Sequence, residues 1–204
     1  SRKEDIEKMA LISDYLDTID IISPTVSAQD MPRPGIPVHE LEACFTNSGK
    51  HVVTESVVSA RDARAQIDLA AAIVGGKEEL RNRPIFSNFV CTISPLTQDG
   101  GGIEAALEFA GAGIPVGMYS MATAGVTAPV TLAGGLALGN AEVLSSLAMH
   151  QLKRPGAPFV YGSGLHHMDM KTTISVYGAP EFQLARVAVA EMGRFYRLPT
   201  WGYA

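Results

Sequence analysis

A chain of 204 residues, 47% hydrophobic and 18% charged, can bury a core and carries too few charges for a disordered segment. Its net charge is −5 and its lysines and arginines are scattered, so it lacks the basic stripe that a nucleic-acid partner requires. Cys44 and Cys91 are far from any paired or zinc-binding spacing and read as reduced thiols of a cytoplasmic protein.

In chain order, SRKEDIEK opens with mixed charge and without the apolar core of a signal peptide. Ile6, Met9, Ile12, Leu16 and Ile19 recur at helical spacing and predict a helix over Glu4 to Ile19. A strand, Asp20 to Ser23, stops at Pro24, and the proline-rich run from Thr25 to Pro37 must be loop because proline lacks the N–H of helix and sheet ladders. Val38 to Asn47 reads as a short helix closed by Gly49, and His51 to Glu55 as a β-branched strand. Ser59 caps the next helix, whose Ala63, Ile67, Ala70, Ala71 and Val74 share a face, and Gly75-Gly76 ends it. Pro84 leads the strand IFSNFVCTI, followed by Ser94-Pro95-Leu96, a glycine turn at Gly100 to Gly102 and a helix over Ile103 to Ala110.

From Ile114 the chain runs through a strand (IPVGMYSM), a small-residue turn (ATAGVTAP), a long apolar helix beginning near Thr127, Ala128 and Pro129, and a second strand (FVYGS). Pro129, paired glycines and Glu142 interrupt the apolar stretch, which argues for a helix packed on a sheet and against a membrane span. Pro84, Pro115, Pro158 and Pro199 each precede a short apolar strand at intervals of 31, 43 and 41 residues, leaving room for a helix in each. Proline suits a strand's first residue, and the alternation describes repeated βα units and a parallel sheet of about six strands. A (β/α)8 barrel and an open doubly wound sheet both fit that pattern; the lack of a GxGxxG turn weakens the second.

The run PVGMYSMATAGVTAPVTLAGGLALGNAEVLSSLAMHQLKRPGAPFVYGS resembles the central barrel segment of the trimethylamine and glycine betaine corrinoid methyltransferases. The resemblance continues through DMKTTISVYGAPEFQLARVAVAEMGRFYRLP and is weak over residues 1 to 80. It implies a (β/α)8 TIM barrel, of which residues 1–204 supply about six βα units as a single partial domain, the N-terminal helix being 4–19 and the units running from about 20 to 204. It further implies transfer of a methyl group from a quaternary or tertiary methylamine, glycine betaine favoured, to Co(I) of a corrinoid protein. No cofactor is expected to be held tightly by the chain itself. The pyrrolysine position of the trimethylamine members is expected just beyond Ala204. A homo-oligomer is expected, with no membrane partner. A barrel lyase or isomerase, a trimethylamine-specific methyltransferase and a non-catalytic barrel segment are the alternatives.

In a parallel barrel the chemistry lies at the carboxyl ends of the strands. That rule nominates Ser94, Leu96 and Asp99, then Ser120 to Thr123, Ser163 to Asp169, and Trp201 to Ala204. At or near predicted strand ends, Tyr119, Tyr161, Trp201 and Tyr203 are candidate faces for a quaternary ammonium, against the commoner role of aromatics in core packing. His166, His167 and Lys171 are candidate partners for a substrate carboxylate, with a solvated loop as the plain alternative, and Ser163 is a further candidate for substrate binding. His166, His167 and Asp169 lack the further ligands of a metal site, and none is expected. No acid–base dyad stands out, so no residue is assigned a catalytic role. Glu142 and Asn140, the odd residues of the long helix, read as structural. QDGGGIE is a weak phosphate cradle and more simply a tight βα turn.

Overall fold

The computed structural model describes residues 1–55 and 57–202. The chain divides into two compact units, Ser1–Phe89 with Glu104–Val116, and Val90–Ile103 with Gly117–Ala204.

The first unit contains α1 (Lys3–Tyr15), β1 (Ile21–Ile22), α2 (Ile36–Asn47), β2 (His51–Thr54), α3 (Ala60–Val74) and α4 (Lys77–Asn82). It also holds the start of β3 (Phe86–Cys91), most of α5 (Gly100–Ala112) and the first residue of β4 (Val116–Ser120). Ile22 pairs with Val52 and Val52 with Phe86, both in parallel register, and the Asn88 amide donates to the Pro115 carbonyl at 3.0 Å. The Phe86 ring sits edge-on between Phe45 of α2 and Phe109 of α5, at 6.3 and 5.8 Å between centroids. That geometry suits aromatic quadrupoles and places the unit's core on the helix side of the strands.

Helix α1 ends at Tyr15, earlier than its apolar spacing predicts. The Lys50 ammonium donates to the Ser13 and Leu16 carbonyls at 2.7 Å, satisfying the free acceptors of a helix end, while the Asp14 carboxylate accepts from the Ser48 hydroxyl and the Gly49 amide. Helix α2 begins at Ile36 with Pro37 in its first turn, where a missing N–H costs nothing. In α3 the Ser59 hydroxyl accepts from the Asp62 amide at 3.1 Å, as its sequence predicts, and Gly75 closes the helix at φ 96°, a conformation that favours glycine. Helix α4 was not expected.

The second unit contains the end of β3, the first turn of α5, the rest of β4, β5 (Thr123–Ala124) and α6 (Leu132–Lys153). It continues through β6 (Phe159–Ser163), β7 (His166–Asp169), β8 (Ile174–Val176), α7 (Pro180–Tyr196) and β9 (Thr200–Trp201). The Thr92 amide donates to the Tyr119 carbonyl at 3.0 Å, and Gly162 pairs in parallel with Trp201. The main strands follow the order β1-β2-β3-β4-β6-β9, so the chain is an α/β protein with helices between successive strands. Pro84, Pro115, Pro158 and Pro199 each lie one or two residues before β3, β4, β6 and β9, as predicted.

Three expectations change in this unit. The glycine turn is the first turn of α5: the Asp99 carboxylate accepts from the Gly102 amide at 2.6 Å, and a Cβ on Gly102 would lie 2.8 Å from that oxygen and from Val90. A carboxylate already occupies the place of a phosphate. Helix α6 starts at Leu132, after Pro129, because the Thr131 hydroxyl caps the Gly134 amide at 3.2 Å. The tracts after β4 and β6, expected as loops, form a small sheet of order β5-β7-β8, with Thr123 pairing His166 in parallel and Met168 pairing Ser175 antiparallel.

By length and composition α6 alone among the described helices could cross a membrane. Its buried face, Gly135, Gly139, Glu142, Val143, Ser146 and His150, has helical spacing, and Gly135 and Gly139 lie against Leu165 and against Ser120 and Ser163 of the same unit.

Burial pushes the His150 imidazole down to about 4, with its ring edge-on to Phe159 at 5.4 Å. The unfolded imidazole takes a proton below its ordinary 6.5, whereas the folded one does not until about 4. Stability is therefore unaffected by this group above pH 6.5 and falls as pH drops from 6.5 towards 4. Urea unfolding at pH 7 and pH 5 should show a larger loss for the wild type than for His150→Gln. Equal losses would contradict this assignment.

Candidate functional site

Side chains alternate along a strand, and the contacts of unit two fix which face is which. Ser120 reaches Glu142 of α6, Tyr161 reaches Asn140 of α6, and Thr200 lies against Gly193 of α7, so these residues face the helices. Their neighbours Tyr119, Gly162 and Trp201 therefore face the opposite, inner side, with Gly162 beside Trp201 in the ladder.

Tyr119 is the centre of that inner face. A Cβ on Gly162 would lie 2.5 Å from its Cδ2, and one on Gly164 2.4 Å from its Cε1, so its ring lies across β6 in the space two missing side chains leave. Its hydroxyl accepts from Arg186 of α7 at 2.7 Å. The same guanidinium donates to the carbonyls of Ser163 and of Leu165, the latter at 2.9 Å, and lies 4.5 Å from the centre of the Phe182 ring. Among the described residues no carboxylate is within ion-pair distance of Arg186, and its Nε–H is buried without a partner. Arg186 thus carries an uncompensated positive charge to the carboxyl end of β6.

Glu142 holds the neighbouring strand ends from the helix side. Its Oε2 accepts from the hydroxyls of Thr92 at 2.6 Å, Ser94 at 2.9 Å and Ser120 at 2.7 Å, and its Oε1 from the Leu96 amide at 2.8 Å. The side chain is 1% exposed, and a carboxylate, being acceptor-only, can serve all four donors at once. The structural reading of Glu142 holds, and the structure supplies what the sequence could not: both strand ends it joins lie on the rim.

The predicted site residues divide. Tyr119 and Trp201 share the inner face. Tyr161 does not join them: it is buried on the helix side, its hydroxyl donates to Asn140 at 2.9 Å, its ring packs on Tyr196 at 5.7 Å, and burial pushes its phenol upward. Ser163 faces α6 beside Gly139, at the same end of the sheet as Trp201. His166 is buried, bonded through Nδ1 to the Gly164 carbonyl at 2.8 Å and through Nε2 to the Thr123 hydroxyl at 3.1 Å. Since a carbonyl only accepts, Nδ1 carries the proton and Thr123 donates to Nε2 in the neutral ring. Tyr177, absent from the sequence-based set, stacks on His166 at 5.3 Å. His167 is half-buried with an unpartnered Nδ1. Lys171 is exposed in the turn after β7, and its amide, with Thr172, holds the Asp169 carboxyl below its ordinary range. Tyr203 lies outside the described residues.

The arrangement offers groups suited to binding and orienting a ligand; its buried acid Glu142 is fully engaged by donors, and no general-acid pair is formed by these residues. Known proteins resemble the chain over nearly all of it. The family model described as trimethylamine methyltransferase (MTTB) matches residues 1–203. The trimethylamine methyltransferase MttB of Desulfitobacterium hafniense (strain DSM 10664 / DCB-2) is 38% identical over 98% of this chain and 40% of its own length, and that of Methanosarcina barkeri is 38% identical over 98% and 41%. The glycine betaine methyltransferase of Desulfitobacterium hafniense (strain Y51) is 33% identical over 84% of this chain and 36% of its own length. The chain thus spans about two fifths of the length of these curated relatives, and residues 1 to 80, weak in the sequence reading, fall within the match.

Proposed function

This chain belongs to the trimethylamine methyltransferase family, and we propose that the full-length protein moves a methyl group from a methylated amine, glycine betaine first, to a corrinoid carried by a separate protein. The chain is then part of a (β/α)8 barrel of a cytoplasmic homo-oligomer, with the amine seated at the carboxyl ends of β4, β6 and β9. The observation that carries the betaine reading is the Arg186 guanidinium at the end of β6, which has no carboxylate partner among the described residues and bonds the hydroxyl of Tyr119, on the same face as Trp201. A betaine offers a carboxylate to that charge and a trimethylammonium to the half-buried Trp201, since Tyr119 is fully buried; one aromatic face is worth roughly 0.5 to 2 kcal/mol. His167, with its free Nδ1, is the nearest of the predicted carboxylate partners in chemistry; His166 is committed to Gly164 and Thr123. Trimethylamine is the second reading, favoured by the higher identity and wider coverage of the trimethylamine relatives.

Cobalt as Co(I) supplies the nucleophile, held by the partner and not by this chain. On transfer the N–CH₃ bond pair stays on nitrogen, so a quaternary ammonium leaves as a neutral tertiary amine and no proton is required. The task left to the chain is aim: orientation of the reacting bond contributes several kcal/mol, on the order of 7 for a well-held pair. An aromatic cage must stay loose enough that it does not favour the ground-state cation over a transition state in which positive charge is leaving nitrogen.

The test incubates full-length protein with cob(I)alamin and a panel of methylated amines and follows methylcobalamin by absorbance. Formation with glycine betaine is the expected result. Turnover of trimethylamine and of no betaine would transfer the assignment to the second reading, and no turnover with any amine would overturn the reaction class.

A further inference from the structure

We infer that Glu142 is a positioning residue of the amine site: its carboxylate fixes the loop after β3 to the end of β4 and thereby holds Leu96 in a left-handed backbone conformation on the rim. The inference rests on the reading of that rim as the amine site. Two observations carry it. The first is the set of donors: three come from the loop after β3 (Thr92, Ser94 and Leu96) and the fourth, Ser120, from the end of β4, so one side chain of α6 clamps two adjacent segments at the carboxyl end of the sheet. The second is Leu96 itself. It has φ 51°, rare for a residue with a branched side chain, its side chain is 66% exposed, and its amide is the donor to Glu142 Oε1. Burial of that side chain does not explain the conformation; reciprocal bonds between Ile93 and Thr97, at 2.9 and 3.2 Å, close the turn, and the Leu96 amide anchors it to Glu142. Strained backbone maintained by a buried anchor is common where a loop must be presented in one geometry. A second bond supports the same loop, from the Gln98 side-chain Nε2 to the Glu142 backbone carbonyl at 2.8 Å.

The amide of Glu142→Gln keeps the size of the side chain but replaces one acceptor oxygen by a donor, so it cannot serve three hydroxyls and a backbone N–H together. The loop then relaxes out of the left-handed region and the amine loses its seat. In full-length protein, Glu142→Gln should raise KM for the methylated amine about tenfold while kcat stays within about twofold, the signature of lost binding geometry and not of fewer active molecules. Adding Leu96→Gly should bring KM most of the way back, since glycine occupies the left-handed region without penalty. Ser94→Ala, which removes one tether and leaves the charge in place, should raise KM in the same direction by about threefold, and it serves where Glu142→Gln does not fold. Amide exchange gives a readout independent of turnover: residues 93 to 98 should lose protection in Glu142→Gln while α7 keeps it. A fall in kcat at unchanged KM, a KM that Leu96→Gly fails to restore, or unaltered exchange over residues 93 to 98 would each overturn the inference. If wild-type protein turns over no amine, the functional reading fails, and the exchange experiment still decides whether Glu142 holds the loop.

Discussion

Replacing Gly164 with alanine should destabilise the protein by about 3 kcal/mol, the upper range for forcing a methyl group into a packed interior. The new Cβ would lie 2.4 Å from Tyr119 Cε1, 3.0 Å from Met121 Sδ and 3.2 Å from the Ser120 carbonyl, so it meets a ring, a side chain and backbone at once. Flexible neighbours relieve such contacts by turning away. The Tyr119 ring cannot, because it is fully buried and its hydroxyl is held by Arg186. Gly162→Ala meets the same ring at 2.5 Å and should behave alike. Urea unfolding measures the effect, and Tyr119→Leu in the Gly164→Ala background should recover part of it, since residues in contact couple. A loss below about 0.5 kcal/mol, the range of an indifferent surface change, would show that the ring does not lie across β6.

Arg186→Met should cost about 3 kcal/mol. The change removes the donor from the Tyr119 hydroxyl and from the Ser163 and Leu165 carbonyls, and an unsatisfied buried acceptor costs roughly 1 to 3 kcal/mol by itself. The loss is moderated because methionine keeps contact with Phe182. Arg186→Lys should recover only a minor part, since an ammonium on a flexible stem cannot reproduce a planar fork reaching three acceptors. Thermal or urea unfolding of the two variants gives the answer. A Met variant as stable as the wild type, or a Lys variant that restores it fully, would contradict the pinning role.

Much of this was legible in the letters. Proline before four of the six main strands and glycine after α3 are backbone requirements, and the prolines marked β3, β4, β6 and β9 correctly. Glu142 stood out as a lone carboxylate among aliphatics, though its partners lie some 22 to 50 positions away and no spacing rule reaches them. The strands β5, β7 and β8 span two to four residues, too short for any period to emerge, and their ladder is made by pairing across the chain. Tyr119 and Tyr161 looked equivalent because a parallel strand is buried on both faces and its composition does not say which face is which. The alternating glycines of YGSG were the missed signal: Gly162 and Gly164 share a face, and two empty positions beside a tyrosine-bearing strand leave room for one large ring.

The claim that the inner face at the carboxyl ends of β4, β6 and β9 seats the amine is tested most directly at Trp201. This residue lies beside Gly162 on that face and is half-buried. Loss of one aromatic face from a desolvated ammonium, up to about 2 kcal/mol, corresponds to as much as a thirtyfold weaker binding. The measurement is the KM and kcat of Trp201→Ala in full-length protein with glycine betaine, alongside its unfolding midpoint. The account predicts a KM raised about five- to thirtyfold with the fold retained. An unchanged KM in a folded variant would place the amine elsewhere and contradict it.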